Sequence, residues 1–126
     1  MNADEVRQLI DGYDAAWNAQ DLDVIDAAHA PAIVFHNHTA GEDAVEGSPA
    51  VREHVGRIFA NWPDLRFSRR RLYTREDLAV SEWTASATKP DGTRLEWDGI
   101  DVFPVEGGLL VRKDVYSSSG SPRIVA

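Results

Sequence analysis

Two aspartates lie inside runs of apolar residues that are typical of β-strands. Asp101 interrupts the run Gly99-Ile100-Asp101-Val102-Phe103, and Asp114 follows Leu109-Leu110-Val111 in the next run. A buried carboxylate costs several kcal/mol unless it is paired or stays protonated. Acids in such places often have shifted pKa values, which are common where protons are transferred. Two acids on adjacent strands therefore predict a cavity with proton-transfer chemistry.

Strand alternation groups aromatic residues with the first of these acids, because alternate side chains of a strand face opposite ways. Asp101 shares its face with Trp97, and on the preceding strand Trp83 is flanked on its own face by Ser81 and Ala85. Small residues beside a tryptophan leave room for a ligand. Of the four tryptophans, we therefore expect Trp83 and Trp97 to line a pocket and the others to lie in the core.

Asp114 has a second interpretation. It shares a face with Arg112 and Tyr116, and it directly follows Lys113. A structural ion pair is therefore the alternative to a catalytic role. Asp101, by contrast, has no cation beside it in the sequence.

A cluster of polar residues ends the predicted strand from Ala32 to His38. His36 and His38 alternate with Phe35 and Asn37, so Asn37 and the histidines face opposite sides. Two histidines at this spacing can ligate a metal ion if another histidine or a carboxylate supplies a third ligand. Surface or interface positions are the favoured interpretation, and we predict no metal site. Asn37 either lines the pocket or hydrogen-bonds a neighbouring loop.

Helical periodicity places a tyrosine on the first element. Tyr13 lies on the apolar stripe of a helix that runs to about Asn18, and Asn2 with Glu5 resembles a capping box at its start. The tyrosine is either a core residue or a group whose hydroxyl acts in the pocket.

Two more helices and a meander of strands follow. Asp21 caps a short second helix that ends at Pro31, and the third helix, which carries Phe59 on its stripe, starts at Ser48-Pro49 and ends at Trp62-Pro63-Asp64. The short turns of the meander require antiparallel neighbours. Its strands are Leu65 to Tyr73, Leu78 to Thr88, Thr93 to Val105 and Leu109 to Ser118. The order predicts a single α+β domain over residues 1–126, with 119–126 as a loose tail.

Composition excludes several classes of function. The 126 residues carry a net charge of -8, which repels nucleic acid and anionic membranes. The one basic cluster, Arg69-Arg70-Arg71, is divided between two faces of a strand. Disulfides and thiol catalysis are excluded because the chain has no cysteine. We see neither a signal peptide nor an apolar run of membrane-spanning length, and we expect a cytoplasmic protein.

Three segments resemble a known family. Tyr13-Asp14-Ala15-Ala16-Trp17-Asn18-Ala19-Gln20-Asp21-Leu22-Asp23 resembles the first-helix segment of the NTF2-like superfamily, particularly ketosteroid isomerases. Gly47-Ser48-Pro49-Ala50-Val51-Arg52 is similar to the segment that opens the third helix, and Trp62-Pro63-Asp64-Leu65 to a turn of SnoaL-like polyketide cyclases. The resemblance implies a cone-shaped fold: three helices pack on a curved, mainly antiparallel sheet that encloses a deep apolar pocket, usually in a homodimer.

The resemblance also implies roles for individual residues. Tyr13 matches the tyrosine of ketosteroid isomerases that donates to the oxyanion, and Asp101 matches the protonated acid that completes the oxyanion hole. The general-base aspartate of that family falls on or beside Asn37. Asp114 takes that role provisionally, since SnoaL-like cyclases use an acid late in the sheet.

Limonene epoxide hydrolases are a second comparison. Phe35-His36-Asn37 resembles their water-positioning segment, and Asp114 matches one of their catalytic aspartates. Their arginine and aspartate strand pair, however, falls on Trp83 and Ala85, so that triad is incomplete.

Together these features predict a cofactor-independent acid/base enzyme of cyclase, isomerase or dehydratase type that acts on an apolar, carbonyl-bearing small molecule. The alternatives are a non-catalytic binding or dimerisation module and an epoxide hydrolase. The strand that holds Asp101 is apolar on both faces, which favours a homodimer through the outer face of the sheet. The predicted catalytic residues are Asp101, Asp114 and Tyr13, and the predicted substrate-binding residues are Asn37, Phe35, Trp83, Trp97 and Phe59.

Overall fold

Three helices pack on one mixed sheet in the computed structural model, which describes residues 1–39 and 41–125. Ala40, between the first predicted strand and the third helix, and Ala126, the last residue of the predicted tail, lie outside the described residues. The helices are α1 (Ala3–Ala19), α2 (Leu22–Ala27) and α3 (Ser48–Asn61). The strands are β1 (His29–Asn37), β2 (Val45–Glu46), β3 (Arg66–Arg75), β4 (Leu78–Thr88), β5 (Arg94–Glu106), β6 (Leu109–Ser117) and β7 (Arg123–Ile124).

Local sequence signals account for the helix ends. The capping box of Asn2 and Glu5 is present, and Asp21 accepts a hydrogen bond from the backbone of Val24 at the start of α2. Helix α3 begins at Ser48, one residue earlier than a cap at Ser48 would place it, because Gly47, with φ of 88°, is the N-cap.

The strands lie in the order β2-β1-β6-β5-β4-β3, and β7 pairs with β5. Only β1 and β6 run parallel among the described pairs, so the curved, open sheet is mixed. The pairing aligns Asn37, Val115, Asp101 and Ser81 in one row across β1, β6, β5 and β4. These four residues belong to the face that the helices cover, and the three-helix α+β fold is confirmed.

Three boundaries differ from the sequence-based predictions. Strand β1 starts at His29, not Ala32, because its pairing with β6 is irregular between His29 and Val34 and this stretch tolerates Pro31. The short strand β2 lies between the first predicted strand and the third helix, where the sequence predicts no strand. Within the predicted tail, Arg123 and Ile124 pair with Glu96 and Leu95.

A bulge in β6 sets which of its residues face the core. The pairing advances from Val102 to Val105 on β5 while it moves from Asp114 to Leu110 on β6, so β6 holds one extra residue. Leu110 and Lys113 are consequently both buried, although strict alternation puts them on opposite faces.

Candidate active site

Two adjoining cavities open between the helices and the covered face of the sheet. The larger has a volume of about 500 Å³ and lies between α3 and strands β1, β4, β5 and β6. The smaller, about 340 Å³, lies between α1 and strands β3 and β4. The residues that line both cavities are Trp17, Phe67, Trp83, Asp101 and Lys113.

Asp101 lies on the wall shared by the two cavities and is 8% exposed. Burial raises the pKa of its carboxyl to about 6, against the opposing charge of Lys113. Oδ1 has no hydrogen-bond partner among the described residues. An unpartnered buried carboxylate oxygen at a cavity is a group that a ligand can engage.

Lys113 is the functional residue that sequence reasoning missed. Its side chain is buried, and Nζ lies 3.7 Å from the ring centroid of Trp17 and 5.0 Å from that of Tyr13. Burial lowers the pKa of the amine, whereas the charges of Asp101 and Asp14 raise it. Within the described chain, Nζ forms no ion pair and no hydrogen bond.

A signal for Lys113 was present in the sequence. Strand alternation places it opposite Arg112 and Asp114 and on the side of Val115. Lys113 lies inside a charged triplet, Arg112-Lys113-Asp114, of which only Arg112 and Asp114 face outward, so the triplet by itself did not mark Lys113 as a buried residue. Asp101 therefore does have a cation near it, one that comes from the next strand.

Tyr13 lines the smaller cavity, and its hydroxyl is 2.8 Å from Nε2 of His29. Among the described residues no hydrogen bond joins it to Asp101; the resemblance implies only that both groups donate to the same substrate oxygen. Burial raises the pKa of Tyr13, so the phenol is protonated at neutral pH. Burial, reinforced by Lys113, lowers the pKa of His29 to about 4, which makes the imidazole neutral.

The unpartnered Nδ1 of His29 indicates which way this hydrogen bond runs. A buried N–H without an acceptor is rarer than a buried acceptor without a donor. The proton therefore belongs on Nε2, which donates to the Tyr13 oxygen. This arrangement leaves the hydroxyl proton of Tyr13 available to another acceptor.

Indole groups complete the shared wall. The Nε1 atoms of Trp17 and Trp83 are buried and have no acceptor in the described structure. The indole of Trp83 lies across Gly99, where a Cβ would overlap the ring. Two indole N–H donors and one carboxylate oxygen are thus unpartnered where the two cavities meet.

Most predicted substrate-binding residues line the larger cavity. Phe35, Asn37, Trp83 and Trp97 do so, as do Trp17 and Trp62, so all four tryptophans of the chain contact this space. Asn37 also stabilises the loop that follows β1, because its Oδ1 accepts a hydrogen bond from the backbone N–H of Thr39. Phe59 is not a lining residue; it packs in the core with its ring centroid 5.2 Å from that of Trp17.

Asp114 lies on the opposite face of the sheet, away from both cavities. Its Oδ1 is 2.8 Å from Nε2 of His38, and Arg112 donates to both carboxylate oxygens at 3.1 and 2.9 Å. The Arg112 hydrogen bonds hold the pKa of Asp114 below its usual range, although partial burial opposes them. The ion-pair interpretation fits this position, and the structure does not bring Asp114 to Asp101 or Tyr13.

His36, His38 and Asp114 form a cluster on this outer face, with one potential ligand atom from each within 4.8 Å of the others. Asp114 supplies a third potential metal ligand beside the two histidines, which the sequence alone does not identify. Because Arg112 already engages both oxygens and adds a positive charge, the cluster is arranged as an ion-pair network.

The three helices on a curved mixed sheet with a cavity between the layers define the NTF2-like fold. The chain belongs to the SnoaL-like domain family, whose model matches residues 7–113. No curated protein sequence matches the chain. Among the described residues, no helix combines the length and apolar character needed to cross a membrane.

Solved structures share this fold at low sequence identity. AclR from Streptomyces galilaeus, a candidate hydroxylase, is 23% identical, covers 88% of this chain and 77% of its own, and has a TM-score of 0.75. IdmH from Streptomyces antibioticus, a candidate polyketide cyclase, is 20% identical over 91% and 93%, with a TM-score of 0.79. An LEH-like epoxide hydrolase from M. tuberculosis is 17% identical over 92% and 84%, with a TM-score of 0.78. These similarities establish the fold alone.

Proposed function

We propose that this protein is a cofactor-independent acid/base enzyme that acts on an apolar, carbonyl-bearing small molecule in the larger cavity. One observation carries the proposal. The buried Asp101 carboxylate and the indole N–H groups of Trp17 and Trp83 are unpartnered where the two cavities meet. An acid/base group beside hydrogen-bond donors is the arrangement that enolisation of a carbonyl compound requires.

The cavity supports an apolar ligand. Its volume of about 500 Å³ lies in the range of small-molecule sites, which have mostly apolar walls and a few polar groups. Phe35, Trp62 and Trp97 supply apolar surface, while Glu42, His54 and Arg57 are the charged or titratable lining residues other than Asp101 and Lys113. A carbonyl compound fits this balance better than a phosphate, given the net charge of -8.

Asp101 is the proposed general base. A carboxyl with a pKa of about 6 is mostly ionised at neutral pH, yet it is more basic than an ordinary aspartate. It removes a proton from the carbon next to the carbonyl and returns it at the end of the reaction. Asp101 thus takes the base role that the resemblance assigns provisionally to Asp114, and the role of neutral donor passes from Asp101 to other groups on the cavity walls.

The negative charge that develops on the carbonyl oxygen needs donors. The indole N–H groups of Trp17 and Trp83 and the hydroxyl of Tyr13 are the candidates on these walls. A well-placed oxyanion donor contributes about 3 kcal/mol to lowering the barrier. Tyr13 suits this role because the His29 imidazole donates to its oxygen and leaves its proton free.

Solvent exchange tests the proposal directly. Wild-type protein should catalyse exchange of deuterium from D₂O into the α-positions of benzylacetone, a small apolar ketone, as followed by NMR. Asp101→Asn should lose at least about 100-fold of this rate, the usual contribution of a general base. Asp114→Asn is the matched control and should keep the wild-type rate, because Asp114 lies on the outer face.

The same experiment decides between the proposed classes. Binding of benzylacetone is measured separately by quenching of the tryptophans that line the cavity. Quenching without exchange in the wild type would overturn the enzyme and leave a binding module. Epoxide hydrolysis has less support, since Trp83 and Ala85 occupy the positions of the arginine and aspartate pair and Asp114 lies outside the cavity.

We also propose a homodimer through the outer face of the sheet. Ile100 and Tyr116 are 38% and 49% exposed on that face. Large apolar groups on an exposed sheet are common where a second subunit packs. The cytoplasmic location stays a prediction from the sequence.

A further inference from the structure

We propose that Lys113 is a nucleophile that forms an imine with the carbonyl group of the substrate. The proposal rests on the proposed function, because it requires that a carbonyl compound enters the larger cavity. It adds a covalent step and defines the substrate class as aldehydes and ketones, which form imines, rather than esters or amides.

The position of the amine is the first support. Lys113 lines both cavities, so Nζ lies on the wall that a bound carbonyl would meet. Aromatic rings surround it: the centroids of Trp17, Tyr13, Phe35 and Phe103 are 3.7, 5.0, 5.3 and 5.7 Å from Nζ. A lysine with a purely structural charge is normally paired when buried, and this amine has no ion-pair partner in the described chain.

The burial of the amine is the second support. Burial disfavours the ammonium form and lowers the pKa of Lys113, which favours a free amine, while the ring faces of Trp17 and Tyr13 favour the cation. The titratable groups that face it are Asp101 from β5, Asp14 and Tyr13 from α1, and His29 from β1. Of these, Asp101 and Asp14 oppose the effect of burial. Tyr13 and His29 are neutral and add no charge.

The groups on the cavity wall can donate and accept the protons that the proposed step requires. The unprotonated Nζ attacks the carbonyl carbon, a C–N bond forms, and one of the two amine protons moves from the nitrogen to the oxygen, which becomes a hydroxyl. Asp101, in its acid form, protonates that hydroxyl, which leaves as water, and the C=N bond forms. The cationic imine then withdraws electrons from the neighbouring carbon, whose proton passes to the Asp101 carboxylate. No oxidant or reductant is needed.

Reductive trapping tests this step in the wild-type protein. Benzylacetone and sodium cyanoborohydride are incubated with the protein at neutral pH, and the reduced adduct is located by peptide mass spectrometry. The chain has only two lysines, so the exposed Lys89 is a built-in control. A ketone held in the cavity meets Lys113 at a high effective concentration, whereas Lys89 meets it only from solution. We expect the adduct on Lys113 in at least about tenfold excess over Lys89.

The variants separate chemistry from folding. Lys113→Met keeps the approximate length and volume of the buried side chain and removes only the amine, a change that cores usually tolerate. It should bind benzylacetone, as shown by tryptophan quenching, and form no adduct. Lys89→Met should form the adduct as the wild type does.

The outcomes distinguish this inference from the proposed function. Equal modification of Lys113 and Lys89, or none at Lys113, with exchange that still depends on Asp101, would overturn the imine and leave the acid/base enzyme standing. An adduct on Lys113 that Asp101→Asn slows supports both. An adduct without exchange supports the imine and contradicts the proposed role of Asp101 as base.

Discussion

At the scale of single residues, the chemistry depends on which face of the sheet each acid occupies. Asp101 and Asp114 occur in similar apolar runs, yet only Asp101 lies among aromatic rings at a cavity. Its pKa rises because water is removed. The pKa of Asp114 falls because Arg112 donates two hydrogen bonds to it. Opposite environments thus give two aspartates opposite tendencies to hold a proton.

Asp114 should contribute to stability rather than to catalysis. Its pKa is lower in the folded protein than the roughly 3.9 of an unfolded aspartate. Its contribution is therefore complete above about pH 4 and is lost as the pH falls through the folded value. We expect Asp114→Asn to lower the free energy of unfolding by about 1 kcal/mol at pH 7, with a smaller difference at pH 3. Urea unfolding at the two pH values measures this.

A stability difference that does not depend on pH would contradict this role of Asp114. A difference between wild type and Asp114→Asn that is unchanged at pH 3 would show that the ionised carboxylate is not what stabilises this face. The measurement is independent of any substrate.

Sequence reasoning identified Asp101 and Tyr13 because an acid in an apolar strand and a tyrosine on a helix stripe are visible as patterns. It did not identify Lys113, because that residue lies inside the charged triplet Arg112-Lys113-Asp114, and no local signal marks the bulge that buries Leu110 together with it. It identified no protein partner for Tyr13, whose hydroxyl bonds to His29, a residue predicted to lie outside the strands. Side-chain partners across elements depend on register, which one sequence does not specify.

At the scale of elements, strands β4 and β5 position the wall shared by the cavities. Trp83 pairs with Gly99, and the missing side chain of the glycine gives the indole its place. The residues next to Trp83 on its face are Ser81 and Ala85, which leave space on either side. The meander predicted from turn signals was right because hairpin turns are local features.

Gly99→Ala tests this packing. The added Cβ would overlap the Trp83 ring, so we expect a loss of about 1–3 kcal/mol in the free energy of unfolding and weaker binding of benzylacetone. Gly12→Ala is the matched control, since Gly12 lies on the exposed side of α1 with nothing within 4 Å of the new carbon. It should be slightly stabilising. Wild-type stability in Gly99→Ala would contradict the packing.

At the scale of the whole molecule, the helices cover one face of the sheet, and the other face exposes apolar residues to solvent. Order of elements alone predicted the α+β class, since helices come early and strands late. The parallel pairing of β1 with β6 and the return of β7 to β5 were not predictable, because they join segments that are distant in sequence.

The proposed homodimer depends on the outer face of the sheet as a whole. We expect the wild type to sediment as a dimer and Ile100→Asp to sediment as a monomer, because a charge replaces an apolar contact at the centre of the outer face. Analytical ultracentrifugation over a range of concentrations measures this. A wild type that is monomeric throughout would rule out the dimer without affecting the cavity.

The pH dependence of deuterium exchange tests the central claim, that Asp101 transfers protons in the cavity. If its carboxylate is the base, the rate for benzylacetone should rise with pH through about 6, where Asp101 loses its proton, and then level off. Asp101→Asn should lose both the rate and this inflection, while Asp114→Asn keeps them. Wild-type exchange in Asp101→Asn, or loss of exchange in Asp114→Asn, would contradict the account.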